Sequence, residues 1–80
     1  MISFTGELIG QHMDVVETTN ESLRKLAGMI VDETKETLVV DVQGQRKVIM
    51  KHAIVFRLQS GELIDGKTIM KRPEERMKGK

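Results

Sequence analysis

Hydrophobic and polar residues alternate with a period of two along most of this chain, and that period predicts strands rather than helices. The strictest run begins at Thr37. Leu38, Val40 and Val42 fall on one face, and Thr37, Val39, Asp41 and Gln43 on the other. Just upstream, Met29-Ile30-Val31 form an apolar, β-branched run, interrupted by Asp32-Glu33-Thr34-Lys35, whose side chains solvate or bond their own backbone. The whole stretch from Gly28 to Val42 therefore reads as two strands and a polar turn. It is the seed hairpin of a small β-barrel. Gly28 lies inside a strand, where a missing side chain marks a bulge or a sharp bend.

The same pattern places further elements in order. A short helical turn is expected from Thr5, closed by Gly10, with Leu8 and Ile9 as its apolar side. A strand follows over 12–17, with Met13 and Val15 opposed to His12, Asp14 and Val16, and then a polar loop at 18–22. Leu23-Arg24-Lys25-Leu26 leads into a second strand over 27–32, and a third covers 36–42. After a turn at Gln43-Gly44-Gln45 a fourth strand runs over 46–50. Lys51-His52 then passes into a fifth over 53–59, where Ile54, Phe56 and Leu58 share a face. Ser60-Gly61 is a turn. Asp65-Gly66, flanked by Leu63-Ile64 and Thr68-Ile69-Met70, carries a strong hairpin signal and predicts a sixth strand or ribbon. Arg72-Pro73-Glu74-Glu75 reads as a helix start. Six short strands with brief connections predict a mostly β fold, a small antiparallel barrel, closed or nearly so. One domain spans 1–80, with its core at about 11–71.

Composition narrows this picture. Eighty residues support one modest core, and with two Phe and no Trp or Tyr that core must be aliphatic. The absence of Cys removes disulfides and thiolate chemistry. No apolar run approaches a membrane span, and the N-terminus lacks the order of a secretion signal, so a soluble cytoplasmic protein is expected. The net charge of +1 conceals an asymmetry. Lys67, Lys71, Arg72, Arg76, Lys78 and Lys80 outweigh Glu74 and Glu75 at one end, while the rest of the chain is net acidic. A basic end suits a polyanionic partner, or it solubilises the chain.

The pattern offers no catalytic site. His12 and His52 have no companions at metal-ligand spacing. Asp32-Glu33 and Glu74-Glu75 are sequence neighbours, which point apart on a strand instead of facing across a cleft. The glycines form no phosphate-binding loop. Binding is better served: Arg46, Lys47, Lys51 and Arg57 lie on two consecutive strands expected to pair, which would give a continuous basic face for phosphates. The alternative is that these cations solvate an outer strand face. Lack of aromatic stacking platforms disfavours single-strand readout by stacking and favours recognition of backbone and shape in folded RNA or a duplex.

Several motifs in a fixed order carry a resemblance. Glu7-Leu8-Ile9-Gly10, Val15-Val16-Glu17, Gly28-x-x-Val31-Asp32-Glu33-Thr34, Thr37-Leu38-Val39-Val40, Phe56-Arg57 and Arg72-Pro73-Glu74-Glu75-Arg76 are similar to the archaeal ribonuclease P protein component 1 family. That family has an Sm-like barrel shared with a eukaryotic ribonuclease P/MRP subunit. The likeness spans about residues 7 to 78. It departs at Arg24-Lys25-Leu26-Ala27, where the family commonly has a Val-Gly-Ile-type approach, and at Glu75, usually Asp.

The resemblance implies a six-stranded Sm-like barrel with short terminal helical segments. It implies a non-catalytic, RNA-binding subunit of ribonuclease P, in which the RNA component removes the 5′ leader from precursor tRNA. This chain would bind no cofactor; magnesium would sit at the RNA. Implied partners are the ribonuclease P RNA, a small zinc-ribbon subunit and other ribonuclease P proteins, with precursor tRNA met indirectly and no membrane. Arg57, Arg72 and Arg76 become candidates for RNA or partner contact. With the basic positions Arg46, Lys47, Lys51, Lys71 and Lys78 they complete the RNA candidates, and Leu8 and Ile9 join Arg72 and Arg76 as partner candidates. Gly28, Asp32, Glu33 and Thr34 would define the fold. The ends, 1–10 and 72–80, are expected to be flexible or ordered by a partner, because a helix as short as 72–78 is marginal alone. Two other readings stay open: a generic Sm-like module that assembles into rings, and a protein–protein adaptor barrel.

Overall fold

A computed structural model describes residues 7–70 of the chain. The alternating stretches become six strands: β1 (His12–Thr18), β2 (Ala27–Glu33), β3 (Thr37–Val42), β4 (Gln45–Met50), β5 (Ile54–Leu58) and β6 (Leu63–Asp65). They form one antiparallel sheet in the order β4-β3-β2-β1-β5-β6. Three short 3-10 turns, Glu21–Leu23, Lys51–Ala53 and Gly66–Ile69, punctuate it. β4 lies at one edge of this order and β5 next to the other, yet only Lys51–Ala53 joins them. The sheet must therefore curl until the end of β4 meets the start of β5. No pairing between those two strands closes it into a full cylinder.

The inward face follows the period-two pattern. Leu38 and Val40 of β3, Ile54, Phe56 and Leu58 of β5, and Met13 and Val15 of β1 are buried together with Leu8, Ile30, Ile49, Ile64 and Ile69. Two bulges tighten the curl, one between Val15 and Glu17 in β1 and one between Ile30 and Asp32 in β2. An extra residue in one strand raises the local twist, as a small barrel needs. The bulges thus fall at Val16 and Val31, not at Gly28. Gly28 serves another purpose: a Cβ there would overlap the Asp41 carbonyl oxygen and lie 2.9 Å from Val40 Cγ1. Its missing side chain lets β3 press onto β2.

Three local expectations change. The polar interruption at Asp32-Glu33-Thr34-Lys35 starts later than expected, because Asp32 and Glu33 still belong to β2. Asp32 Oδ1 accepts from the Glu33 N–H, and the turn proper is closed by Thr34 and Thr37, whose hydroxyls lie 2.6 Å apart. Asp65-Gly66 is not a hairpin. Asp65 ends β6 and caps the 3-10 turn, its Oδ1 accepting from the Lys67 N–H at 3.0 Å. Leu8 is fully buried in the core, so it cannot be a surface contact for a partner, whereas Ile9 stays exposed. The chain holds Leu8 in by the Gly10 N–H, which donates to the Ile30 carbonyl at 2.7 Å.

Candidate nucleic-acid interface

The basic candidates do not share one ribbon. β4 pairs only with β3, and β5 pairs with β1 and β6. Arg46 and Lys47, both exposed, sit on the free edge of the sheet, and as neighbours on a strand they point to opposite faces. Arg57 is exposed on β5, with Asp14 and Leu63 beside it across the ladder. Three strands separate it from β4 in the sheet order. The expected continuous basic face is therefore absent: a three-residue 3-10 turn between β4 and β5 leaves no tight hairpin to pair them.

Lys51 is not an RNA contact at all. It is completely buried, and its Nζ donates to Glu33 Oε2 at 2.8 Å, to the Ile69 carbonyl at 2.9 Å and to the Lys35 carbonyl at 3.1 Å. Three acceptors around one ammonium are how such a charge survives in an apolar core. The acidic end of β2 supplies the charge that makes this possible. Lys71, Arg72, Arg76 and Lys78 lie outside the described residues, as do the helix start at Arg72 and the Thr5 end of the first turn.

A different group of cations converges where no local pattern announced it. Asn20 Oδ1 accepts from the Ser22 N–H and starts the first 3-10 turn. The chain then reverses through Leu23-Arg24-Lys25-Leu26, closed by the Leu26 N–H donating to the Leu23 carbonyl at 3.1 Å. Arg24 at φ −62°, ψ 131° and Lys25 at φ 64° give a type II turn. This turn faces the ends of β1 and β6 and the start of β5. Between them lies a cleft of about 480 Å³, lined by Val15, Ala53, Ile54 and Val55 and rimmed by Arg24, Lys25, His52 and Lys67, with Glu17 and Asp65 also on its wall.

Arg24 is engaged by Glu21 at 3.2 Å, an exposed pair of little energetic weight. Lys25, His52 and Lys67 have exposed side chains that make no hydrogen bond or ion pair within the described residues. Sequence reasoning counted Lys67 in the basic end and set His52 aside as a metal ligand, but made none of the three a site candidate. One signal could have pointed to Lys25: lysine at the third position of a type II turn, which favours glycine. That signal appears only once the turn is known. Among the described residues no three His, Asp or Glu side chains converge as metal ligands.

Residues 4–79 match the family model described as ribonuclease P/MRP, subunit p29. The chain is 41% identical to ribonuclease P protein component 1 of Methanosphaera stadtmanae, over 96% of this chain and 87% of that protein. It is 37% identical to the protein of the same name from Methanocaldococcus jannaschii, over 92% and 82% respectively. Among solved structures it is similar to Mth11, a homologue of human RNase P protein Rpp29, with a TM-score of 0.62, 33% identity and coverage of 89% of this chain and 97% of that one. By family model, sequence and fold alike, this chain belongs to the ribonuclease P/MRP subunit p29 family.

Proposed function

We propose that this protein is the non-catalytic, RNA-binding subunit of an archaeal, cytoplasmic ribonuclease P. There it supports the RNA component in removing the 5′ leader from precursor tRNA. The carrying observation is the likeness to ribonuclease P protein components along nearly the whole chain, from residue 4 to 79. The site chemistry is consistent with a binding role. Of the adjacent carboxylates at the end of β2, Asp32 is exposed, whereas Glu33 is buried and held by Lys51, so they cannot act as a pair. What the surface does offer is cations with no partner among the described residues: Arg46 and Lys47 on the β4 edge, Arg57 on β5, and Lys25 and Lys67 at the cleft. Catalytic magnesium belongs with the RNA in this reading. The partners are that RNA, the small zinc-ribbon subunit and other ribonuclease P proteins. Ile9, the exposed neighbour of buried Leu8, is a partner contact on this reading.

Reconstitution tests the proposal. Adding the chain and the other subunits to ribonuclease P RNA is expected to lower the magnesium needed for leader cleavage; no change in that requirement refutes the role. Binding to the RNA alone should fall steeply with salt, because each neutralised phosphate releases counterions. Arg46→Ala with Lys47→Ala should weaken RNA retention and flatten the dependence of log K on log salt by roughly 0.7–0.9 for each phosphate no longer neutralised.

An Sm-like ring is disfavoured by the sheet edges. Ring assembly pairs the free edge of one barrel with the opposite edge of the next, but here β6 already covers β5, with Val55 opposite Asp65, Phe56 opposite Ile64 and Arg57 opposite Leu63. Among the described residues, only the three of β6 then remain as that edge. The isolated chain is expected to sediment as a monomer, and a stable hexamer or heptamer would restore the ring reading.

A further inference from the structure

The cleft beside β1, β5 and β6 is built for more than general attraction to phosphate. We propose that it is a pocket for a single unpaired guanine nucleotide of the RNA, an inference that rests on the RNA-subunit reading above. Its volume, about 480 Å³, lies within the range of small-ligand sites. Part of its lining is accessible aliphatic surface: Val16 is exposed and Ala53 and Val55 are half-buried, while Val15 and Ile54 belong to the core behind. Such a surface suits the flat face of a base, and the His52 imidazole is the one ring among the lining residues that can stack beside it.

The charges divide the work. Lys25 and Lys67 stand on the rim with no partner among the described residues, placed to neutralise phosphates on either side of an inserted base. Lys25 holds its position against local preference. Its φ of 64° is the left-handed conformation that the third residue of a type II turn requires and that glycine adopts freely. Backbone strain of this kind gathers at ligand-binding positions, and no hydrogen bond or ion pair of the Lys25 side chain within the described fold offsets it.

Glu17 gives the pocket its selectivity. Register places Glu17 of β1, Val55 of β5 and Asp65 of β6 in one row on the same outer face. Asp65 Oδ1 is engaged in capping Lys67, whereas the Glu17 carboxylate is exposed and unpartnered among the described residues. In a purely phosphate-binding site this carboxylate would only repel. Against a base it can accept two hydrogen bonds at once from the guanine N1–H and N2–H₂. Adenine, cytosine and uracil do not present two adjacent donors on that edge. Because the Watson–Crick edge is the one engaged, the nucleotide must be unpaired.

The test uses the full chain and two trinucleotides, UGU and UUU, followed by amide NMR shifts. UGU is expected to shift Glu17, Thr18, Lys25, His52 and Val55, and to bind about tenfold more tightly than UUU, the effect of one well-made bidentate contact. Glu17→Gln should abolish that preference without weakening UUU. Lys25→Gln with Lys67→Gln should weaken both and lower the salt slope by roughly 1.4, about 0.7 per neutralised phosphate on a single strand. All three side chains are exposed, so the variants should keep the wild-type spectrum elsewhere. Equal binding of the two trinucleotides, or no shift with either at millimolar concentration, overturns the pocket even if filter retention of ribonuclease P RNA is intact. Loss of that retention in the wild-type chain overturns the RNA-subunit reading itself. Shifts of the cleft amides by the zinc-ribbon subunit, and none by RNA, assign the cleft to a protein and also overturn the proposal.

Discussion

Replacing Lys51 with methionine is expected to destabilise this protein by about 3–5 kcal/mol, the loss seen when one member of a buried ion pair is removed. The reason is what remains. Glu33 stays fully buried without its cation, and the carbonyls of Lys35 and Ile69 lose a donor. A chain of this size has only about 4–12 kcal/mol of stability in total. Each kcal/mol moves its melting temperature by roughly 4–8 °C, so the midpoint should drop by at least ~12 °C in a circular dichroism melt. Pairing the change with Glu33→Leu removes the stranded carboxylate, and the double variant should recover much of the loss, since an apolar pair of similar volume is often neutral. If the double variant melts no higher than the single one, the buried charge is not the cause, and the unpaired carbonyls are. A Lys51→Met protein as stable as wild type would mean that the ion pair does not form.

How this lysine escaped the sequence reading shows where such reading stops. The strands were legible because their signal is local. Leu38 and Val40, or Ile54, Phe56 and Leu58, declare a core face within five residues, and burial follows that alternation. Lys51 sits with His52 as a polar pair between two strands, where a charged side chain ordinarily meets water. Its burial depends on Glu33, eighteen positions away, and on Ile69, eighteen positions the other way. Nothing nearby encodes either interaction. Leu8 misled for a related reason: a short apolar segment near a terminus looks the same whether it waits for a partner or is tied to the core by Gly10 and Ile30. The family likeness carried the fold and the broad role, since ordered short motifs are specific even when each is weak. It could not reveal the cleft. That site is assembled from the end of β1, the Arg24-Lys25 turn, the 3-10 turn Lys51–Ala53, the start of β5 and the end of β6. It exists only after the sheet has curled.

Gly66→Ala should be nearly as damaging as the loss of Lys51, with an expected cost of about 3 kcal/mol, the upper end of what overpacking does. The reason is space, since Gly66 is not among the residues with positive φ. An added Cβ would overlap the Lys51 carbonyl oxygen, lie 2.6 Å from the Lys51 carbonyl carbon and 3.0 Å from the Ile54 carbonyl oxygen. All of these are backbone atoms, which cannot rotate away as a side-chain tip can. To make room, the turn Gly66–Ile69 must separate from the turn Lys51–Ala53. That movement pulls the Ile69 carbonyl from Lys51 Nζ and strains the Lys51 N–H bond to the Glu36 carbonyl, now 2.8 Å. It also displaces Lys67 from the cleft rim. The Asp65-Gly66 pair, so like a hairpin signal, is therefore a cap followed by a point of closest approach. The melting midpoint should fall by roughly 12–24 °C, and the Lys51 amide should exchange with solvent faster than amides of β3, which lie away from this approach. An unchanged midpoint would show that the two turns do not pack this closely. A lower midpoint with Lys51 exchange still slow would place the strain on the Ile54 side instead.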